Sequence, residues 1–312
     1  MQDLRTILLT GATGFIGSHL LETLLNQGHK VIVLKRSSSN LWRIEHLLNQ
    51  VKTYDLGVDL LESIFEEQQI DVIIHLATLY RKFDNGQEVD EMIQANVSFP
   101  LQLVEIGVRK GVKAFINTGT FFEYDCSILP VKETSEVSPY NLYAKTKIIF
   151  EEALKTYSSQ IAINTFRLFS PYGERDNHKL VPMIINKAIN DDVIELSEGL
   201  QKIDLIYVKD IVQAYVKAIE RLHSRDWDAE YEVFNLGSGV ALSIRDVVSV
   251  VEECLGQSVK KKWGEPSLLD IPIAFADTSK IRQVLDWEPE YTIHKGIKNT
   301  ISYYKENSLH GN

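Results

Sequence analysis

The chain has 312 residues, 44% hydrophobic and 24% charged, which is the balance of an ordinary soluble protein of one large or two ordinary domains. Its net charge of −10 argues against non-specific nucleic-acid binding, which needs a basic surface, although a small phosphate-bearing ligand needs only a local positive site. Cys126 and Cys254 fit no metal or redox spacing, the eight histidines form no HExxH-like pair, and neither a membrane-length apolar run nor a signal peptide is read, so a cytoplasmic protein without a catalytic metal is expected.

Short apolar runs alternate with amphipathic stretches through the first half. TILLT predicts a strand, and GFIGSHLLETLLNQG a helix closed by Gly28. KVIVL is the next strand, LESIFEEQQ a helix and DVIIHLA a buried strand. EMIQANVSFPLQLVEIGVRKG predicts one long helix that accommodates Pro100, followed by the strand KAFINT, the helix YNLYAKTKIIFEEALKTYS and the strand IAINTFRLF. This alternation predicts an α/β fold: a doubly wound, parallel Rossmann sheet with right-handed crossovers. Beyond Pro171 the rhythm weakens: KLVPMIINKAIN is helical, KIDLIYV a strand, KDIVQAYVKAIERLH a helix, and SIRDVVSVVEECLG a helix opened by Ser243 as N-cap. The expected organisation is a dinucleotide-binding domain over 1–170, with the chain near 202–235 returning to it, and a smaller α/β substrate lobe over 171–312.

Gly11, Gly14 and Gly17 form GxxGxxG between the first strand and the first helix, with Thr13, Phe15 and Ile16 inside the turn. The first glycine permits the tight turn, the second lets backbone approach a pyrophosphate, and the third lets helix pack on strand; the helix N-terminus offers N–H groups to the anion. The second strand ends in VLKRSSSN, where an NAD site carries an acidic residue for the ribose 2′-hydroxyl. Lys35 and Arg36 suit a 2′-phosphate instead, so NADP(H) is favoured over NAD(H), the alternative being solvated loop cations. Asp55, followed by Leu56, either reaches the adenine amino group or caps the next helix.

Tyr143 and Lys147 are four residues apart on a predicted helix and share a face. Reduction of a ketone needs hydride at carbon and a proton at oxygen. A phenol can give that proton if a neighbouring ammonium brings its acidity toward working pH. Thr120 stands at the carboxyl end of a strand, where open α/β sheets bind ligands, and its hydroxyl suits the substrate oxygen.

With these residues in place, the chain resembles an extended short-chain dehydrogenase/reductase of the NAD-dependent epimerase/dehydratase family, which acts on nucleotide sugars. Besides TGATGFIG and YAKTK, the resemblance rests on DVIIHLAT, ANVSFP, RLFSPYG, DLIYVKDIVQAY, FNLGSG, ADTSKIRQVLDWEP and HKGI. It implies Thr120 in the Ser/Thr role, Tyr143 as acid/base and Lys147 on the nicotinamide ribose. It places Leu76, Ala77, Leu168 and Ser170 along the cofactor, gives Asn96 a choice between supporting the lysine and kinking its helix, and brings the expectation of a homodimer. The family's 4,6-dehydratases carry an Asp-Glu pair after the catalytic Thr, and its 3,5-epimerising reductases a Cys two residues on; here those positions are Phe121 and Phe122. Net reduction of a nucleotide-linked 4-keto sugar and 4-epimerisation through a transient ketone remain, and Lys35 and Arg36 tip the choice to reduction. The phenylalanines, with Tyr80, suit the C6 methyl of a 6-deoxy sugar, and VLKRSSSNLWRI with INTGTFF is similar to reductases that make dideoxyhexoses such as abequose or paratose on a CDP carrier. Ile203 and Glu265 stand where many relatives use arginines for the diphosphate, leaving Lys179, Lys202 or the run Lys260–Lys262 as substitutes. A reductase of a non-sugar ketone and a non-catalytic cofactor-binding protein are the rival classes.

Overall fold

The computed structural model describes residues 4–81, 86–176, 179–224, 230–266 and 271–309. Strands β1 (Thr6–Thr10), β2 (Lys30–Lys35), β3 (Lys52–Asp55), β4 (Val72–His75), β5 (Ala114–Thr120) and β6 (Ala162–Leu168) alternate with helices α1 (Phe15–Asn26), α2 (Leu61–Glu67), α3 (Gly86–Ile93), α4 (Phe99–Arg109) and α5 (Leu142–Lys155). There follow β7 (Ser170–Tyr172), α6 (Leu180–Ile189), β8 (Ile194–Leu196), β9 (Lys202–Tyr207), α7 (Val208–Ser224), β10 (Tyr231–Leu236), β11 (Ala241–Ser243), α8 (Ile244–Leu255), β12 (Lys261–Trp263), β13 (Ile273–Ala274), α9 (Ser279–Leu285) and α10 (Ile293–Leu309).

The main sheet has seven strands in the order β10-β6-β5-β4-β1-β2-β3. The pairs from β3 to β6 are all parallel, the doubly wound arrangement expected from the alternation of elements. Strands covered on both faces must be apolar throughout, and Ile7, Leu8, Leu9, Val72, Ile73, Ile74, Phe115 and Ile116 are buried accordingly. On one face, Leu103 and Val104 of α4 and Phe150 and Leu154 of α5 join Leu8, Ile73, Phe115 and Ile163 in a single cluster. Each such side chain contributes about 1.5–3 kcal/mol when fully buried. The strand order reverses between β1 and β4, and the turn after β1 opens at that switch point.

The long helix expected around Pro100 is α3 and α4 joined by one π turn, Gln94–Ser98, with Pro100 in the first turn of α4. The wider turn surrounds the buried Asn96.

The chain forms two compact units, one of residues 1–125, 136–168 and 212–234, the other of 126–135, 169–211 and 235–312. The return to the first unit begins at 212 rather than 202, because β9 belongs to a second sheet, between β11 and β13 with β7 also paired to it. Residues 126–135 join the second unit through backbone and side-chain bonds. Asn235 Nδ2 donates to Val131 O at 2.8 Å, Asn235 N to Glu133 Oε1 at 2.8 Å, and Asp277 N to Val131 O at 2.7 Å. No helix among the described residues is long and apolar enough to cross a membrane.

Candidate active site

Gly11 adopts φ +73°, and a Cβ there would lie 2.7 Å from Ala77 N and from Leu76 C, so the turns after β1 and β4 meet backbone to backbone. A Cβ on Gly17 would stand 2.1 Å from Gly11 O, which is why helix α1 can start so close to the strand that precedes it. Gly14 caps α1 in an extended conformation with no side-chain cap hydrogen bond and no acidic residue in the first turn, which leaves a helix N-terminus of the kind that suits an anion. Leu76 and Ala77 thus stand at the glycine turn, and Ala77 N donates to Thr10 Oγ1 at 3.2 Å.

At the end of β2 the geometry alters the expectation. Lys35 Nζ donates to Asp55 Oδ2 at 2.8 Å, while Ser37 Oγ and Gly57 N occupy Oδ1. Lys35, then Ser37 and Gly57, hold the Asp55 carboxyl down to about 2. Lys35 and Asp55 therefore satisfy each other and are engaged before any phosphate or adenine, because β2 and β3 pair in register at these two residues. Leu56 N closes the same edge on Lys35 O at 2.9 Å. Arg36 is exposed at the turn. The sequence reading missed Arg43, whose Nη1 donates to Thr13 O inside the glycine turn at 3.2 Å and whose guanidinium lies over Trp42. The signal was a third cation eight residues after Lys35 in KRSSSNLWR.

Asn141 caps α5, its Oδ1 accepting from Ala144 N at 2.9 Å, and so fixes the turn that carries Tyr143. One turn on, the buried Lys147 donates from Nζ to Thr118 O at 3.0 Å, two residues before Thr120 on β5. Its Nζ is 6.0 Å from the Tyr143 ring centroid. Thr120 ends β5, pairs in register with Leu168 of β6, and accepts Phe122 N on its hydroxyl at 3.4 Å. The phenol departs from the expected acidity: burial pushes Tyr143 up, a Thr78 hydrogen bond acts against this, and Glu123 and Tyr80 add to it. Burial pulls the Lys147 ammonium down to about 8, with Glu123 and Glu151 opposing.

Asn96 does not bond the lysine. Its Nδ2 donates to Leu79 O at 2.9 Å and Thr146 Oγ1 at 3.1 Å, and its Oδ1 accepts Leu79 N at 2.8 Å. It ties the loop after β4, which holds Thr78 and Tyr80, to the helix of Tyr143. Tyr80 stands edge-on to Tyr143 with ring centroids 5.0 Å apart. Phe121 and Phe122 are 4.4 Å apart, and Tyr140 stacks on Phe122 at 5.2 Å. Tyr140 has no motif to mark it in the sequence; the bond from its N to Phe122 O, 2.9 Å, brings it to this wall.

The remaining expected residues lie in the second unit. Ser170 is in β7, the exposed Lys179 is the N-cap of α6, and the exposed Lys202 starts β9. Ile203 faces Leu242 of β11 and Ala274 of β13 in register. Lys260, Lys261 and Lys262 pair with Asp191, Glu252 and Glu195, which engages that run with carboxylates. His178 and residues 267–270, beside two of these positions, lie outside the described residues.

The family model of the NAD dependent epimerase/dehydratase family matches residues 7–237. The chain belongs to this family. Among curated epimerase/dehydratase relatives, it is 30% identical to CDP-abequose synthase of Salmonella muenchen over 306 residues, 96% of this chain and 97% of that protein. It is 28% identical to the UDP-glucuronate 4-epimerase of Thermodesulfobacterium geofontis over 317 residues, 96% of each. Among solved structures, the UDP-glucuronic acid 4-epimerase of Bacillus cereus in complex with UDP-glucuronic acid and NAD superimposes with TM-score 0.86 at 25% identity, covering 97% of this chain and 99% of that one.

Proposed function

We propose that this protein reduces a nucleotide-linked 4-keto-6-deoxy sugar to the 4-hydroxy sugar with NADPH. The observation that carries the reading is a Tyr143–Lys147 pair beside the end of β5 whose neighbours after Thr120 are phenylalanines and not acid/base groups. The two residues that follow Thr120 offer no group to expel a hydroxyl or ionise a second carbon, so the pair passes one proton at one oxygen. The glycine turn suits a dinucleotide: its glycines let strand, turn and helix pack closely, and it opens a helix N-terminus at the switch point of the sheet.

A nicotinamide dinucleotide, when bound, supplies the hydride. Tyr143 gives its proton to the C4 oxygen, and Thr120 donates a hydrogen bond to the same oxygen. Lys147 holds the nicotinamide ribose and stabilises the phenolate left behind. Burial keeps the Tyr143 phenol protonated at neutral pH, the form a proton donor needs. The apolar wall of Phe121, Phe122, Tyr80 and Tyr140 suits a C6 methyl, and Arg43 and Arg36 are the cations for a 2′-phosphate. The 30% identity to CDP-abequose synthase supports a CDP carrier.

The second reading is NAD-dependent 4-epimerisation. It is favoured by the Lys35–Asp55 pair, which removes one cation from the ribose end, and by the UDP-glucuronate 4-epimerase relative. The test is a panel containing CDP- and UDP-linked 4-keto-6-deoxyhexoses, UDP-glucose, UDP-glucuronate and a simple ketone. Stoichiometric NADPH oxidation with a nucleotide 4-keto sugar is expected. Interconversion of UDP-sugars with no net cofactor change would replace the reading with epimerisation, and turnover of the simple ketone alone would remove the nucleotide.

A further inference from the structure

Beneath the end of β5 lies a buried charge cluster that the proposed chemistry leaves unused. Glu123 is 0% exposed, Glu151 1% and Arg167 5%. Arg167 Nη2 donates to Glu151 Oε2 at 2.6 Å, and Arg167 Nε stands 2.9 Å from Glu123 Oε2. The other Glu123 oxygen accepts the Thr120 N–H at 2.7 Å. Gly119 lies against both carboxylates: a Cβ there would be 2.6 Å from Glu151 Oε1 and 2.8 Å from Glu123 Oε1. Two carboxyls around one guanidinium carry a net negative charge where both are ionised, which is costly in a dry place unless another cation is near. Lys147, four residues before Glu151 on α5, is a cation beside the same strand. It is 2% exposed, and its Nζ is bonded to Thr118 O, the residue next to Gly119 on the same strand.

We propose that Glu123 is a positioning residue for the reaction, supplying with Glu151 the buried countercharge that keeps Lys147 an ammonium. The inference rests on the proposed roles of Tyr143 and Lys147. Among the described residues, the titratable and charged groups around this cluster are Tyr143 and Glu151 on α5, Glu123 and Tyr124 after β5, His75 on β4, Arg167 on β6, Tyr80 in the loop after β4, and Tyr231 on β10, whose hydroxyl donates to Glu151 Oε2 at 3.3 Å. His75 is held neutral by burial and by the Lys147 charge, so it adds no cation. Burial and then Glu151 push the Glu123 carboxyl up, and Arg167 opposes them. The sign for Lys147 follows: it is charged below its midpoint, and removing a nearby carboxylate lowers that midpoint.

The experiment is an NMR pH titration of the full chain carrying lysine labelled at the ε-carbon, the Lys147 signal being assigned by its loss in Lys147→Arg. In Glu123→Gln the Lys147 midpoint is expected to fall by about one pH unit, as for loss of a nearby opposite charge. The alkaline limb of kcat is expected to move to lower pH with it. Glu151→Gln tests the same countercharge without touching the Thr120 N–H bond and serves if Glu123→Gln does not fold. An unmoved midpoint would mean that the two carboxyls already share one proton and a single charge, and would overturn the proposal. A lowered midpoint with an unmoved alkaline limb would equally overturn the positioning role. Wild-type protein that turns over no nucleotide 4-keto sugar, while the midpoint still falls in the variants, would sink the proposed function and support the buried countercharge.

Discussion

Burial acts in opposite directions on Tyr143 and Lys147. The phenol is pushed up, while the ammonium is pulled down to about 8 with Glu123 and Glu151 opposing. Tyr143→Phe is expected to lower kcat at least 100-fold, within the range of about 10²–10⁴ for a general acid, with dinucleotide affinity unchanged by fluorescence titration; a near-normal rate would remove Tyr143 from the chemistry. The ribose end gives a second expectation. On the proposed NADPH reading, selection for the 2′-phosphate falls to Arg36 and Arg43, because Asp55 engages Lys35. Arg36→Ala with Arg43→Ala is expected to weaken NADPH relative to NADH by about ten- to a hundredfold, as for losing a charge-assisted bond of about 1.5–3 kcal/mol. Lys35→Ala should change that ratio little. Equal losses for both cofactors in the arginine variant would count against NADPH.

At the scale of elements, the contact between α1 and β1 is set by Gly17. A Cβ there meets the Gly11 carbonyl at 2.1 Å, and neither backbone can yield without opening the turn. Gly17→Ala is expected to cost about 1–3 kcal/mol by overpacking and to weaken dinucleotide binding along with it. Urea unfolding and cofactor titration check the two effects together, and an unchanged pair of values would mean that the turn is looser than drawn. Helix α8 offers a contrast. Its capping box joins Ser243 Oγ to Asp246 N at 3.0 Å and Asp246 Oδ2 to Ser243 N at 2.9 Å. Ser243→Ala is expected to cost about 1 kcal/mol with cofactor affinity unchanged; loss of affinity would tie this cap to the cofactor site.

At the scale of the molecule, the two units are interleaved in sequence. Phe166 on β6 packs at 4.8 Å from Tyr215 and 5.8 Å from Phe234, all three fully buried, and both partners come from the returning segment 212–234. A fragment of residues 1–170, which a contiguous division would treat as a domain, lacks them. Losing two such aromatic partners costs about 3–5 kcal/mol each by analogy with Phe→Ala, comparable to the whole stability of a domain, about 5–15 kcal/mol. The fragment is expected to be unfolded or aggregated by circular dichroism and size-exclusion chromatography. A cooperative unfolding transition in it would refute the interleaving argument.

The alternation of apolar strands with amphipathic helices determined the doubly wound sheet, because buried parallel strands have to be apolar along their whole length. The glycine spacing and the YxxxK helix were legible for a similar reason: backbone sterics and helical periodicity act over a few residues. The Asp55 clamp on Lys35, the Arg43 bond to Thr13, the Tyr140 stack on Phe122 and the carboxylates beneath Gly119 join residues that are distant in sequence or separated by irregular turns. No local period records such pairs. Charge and acidity depend on which groups share a dry space, and that is decided only when the chain has closed around them.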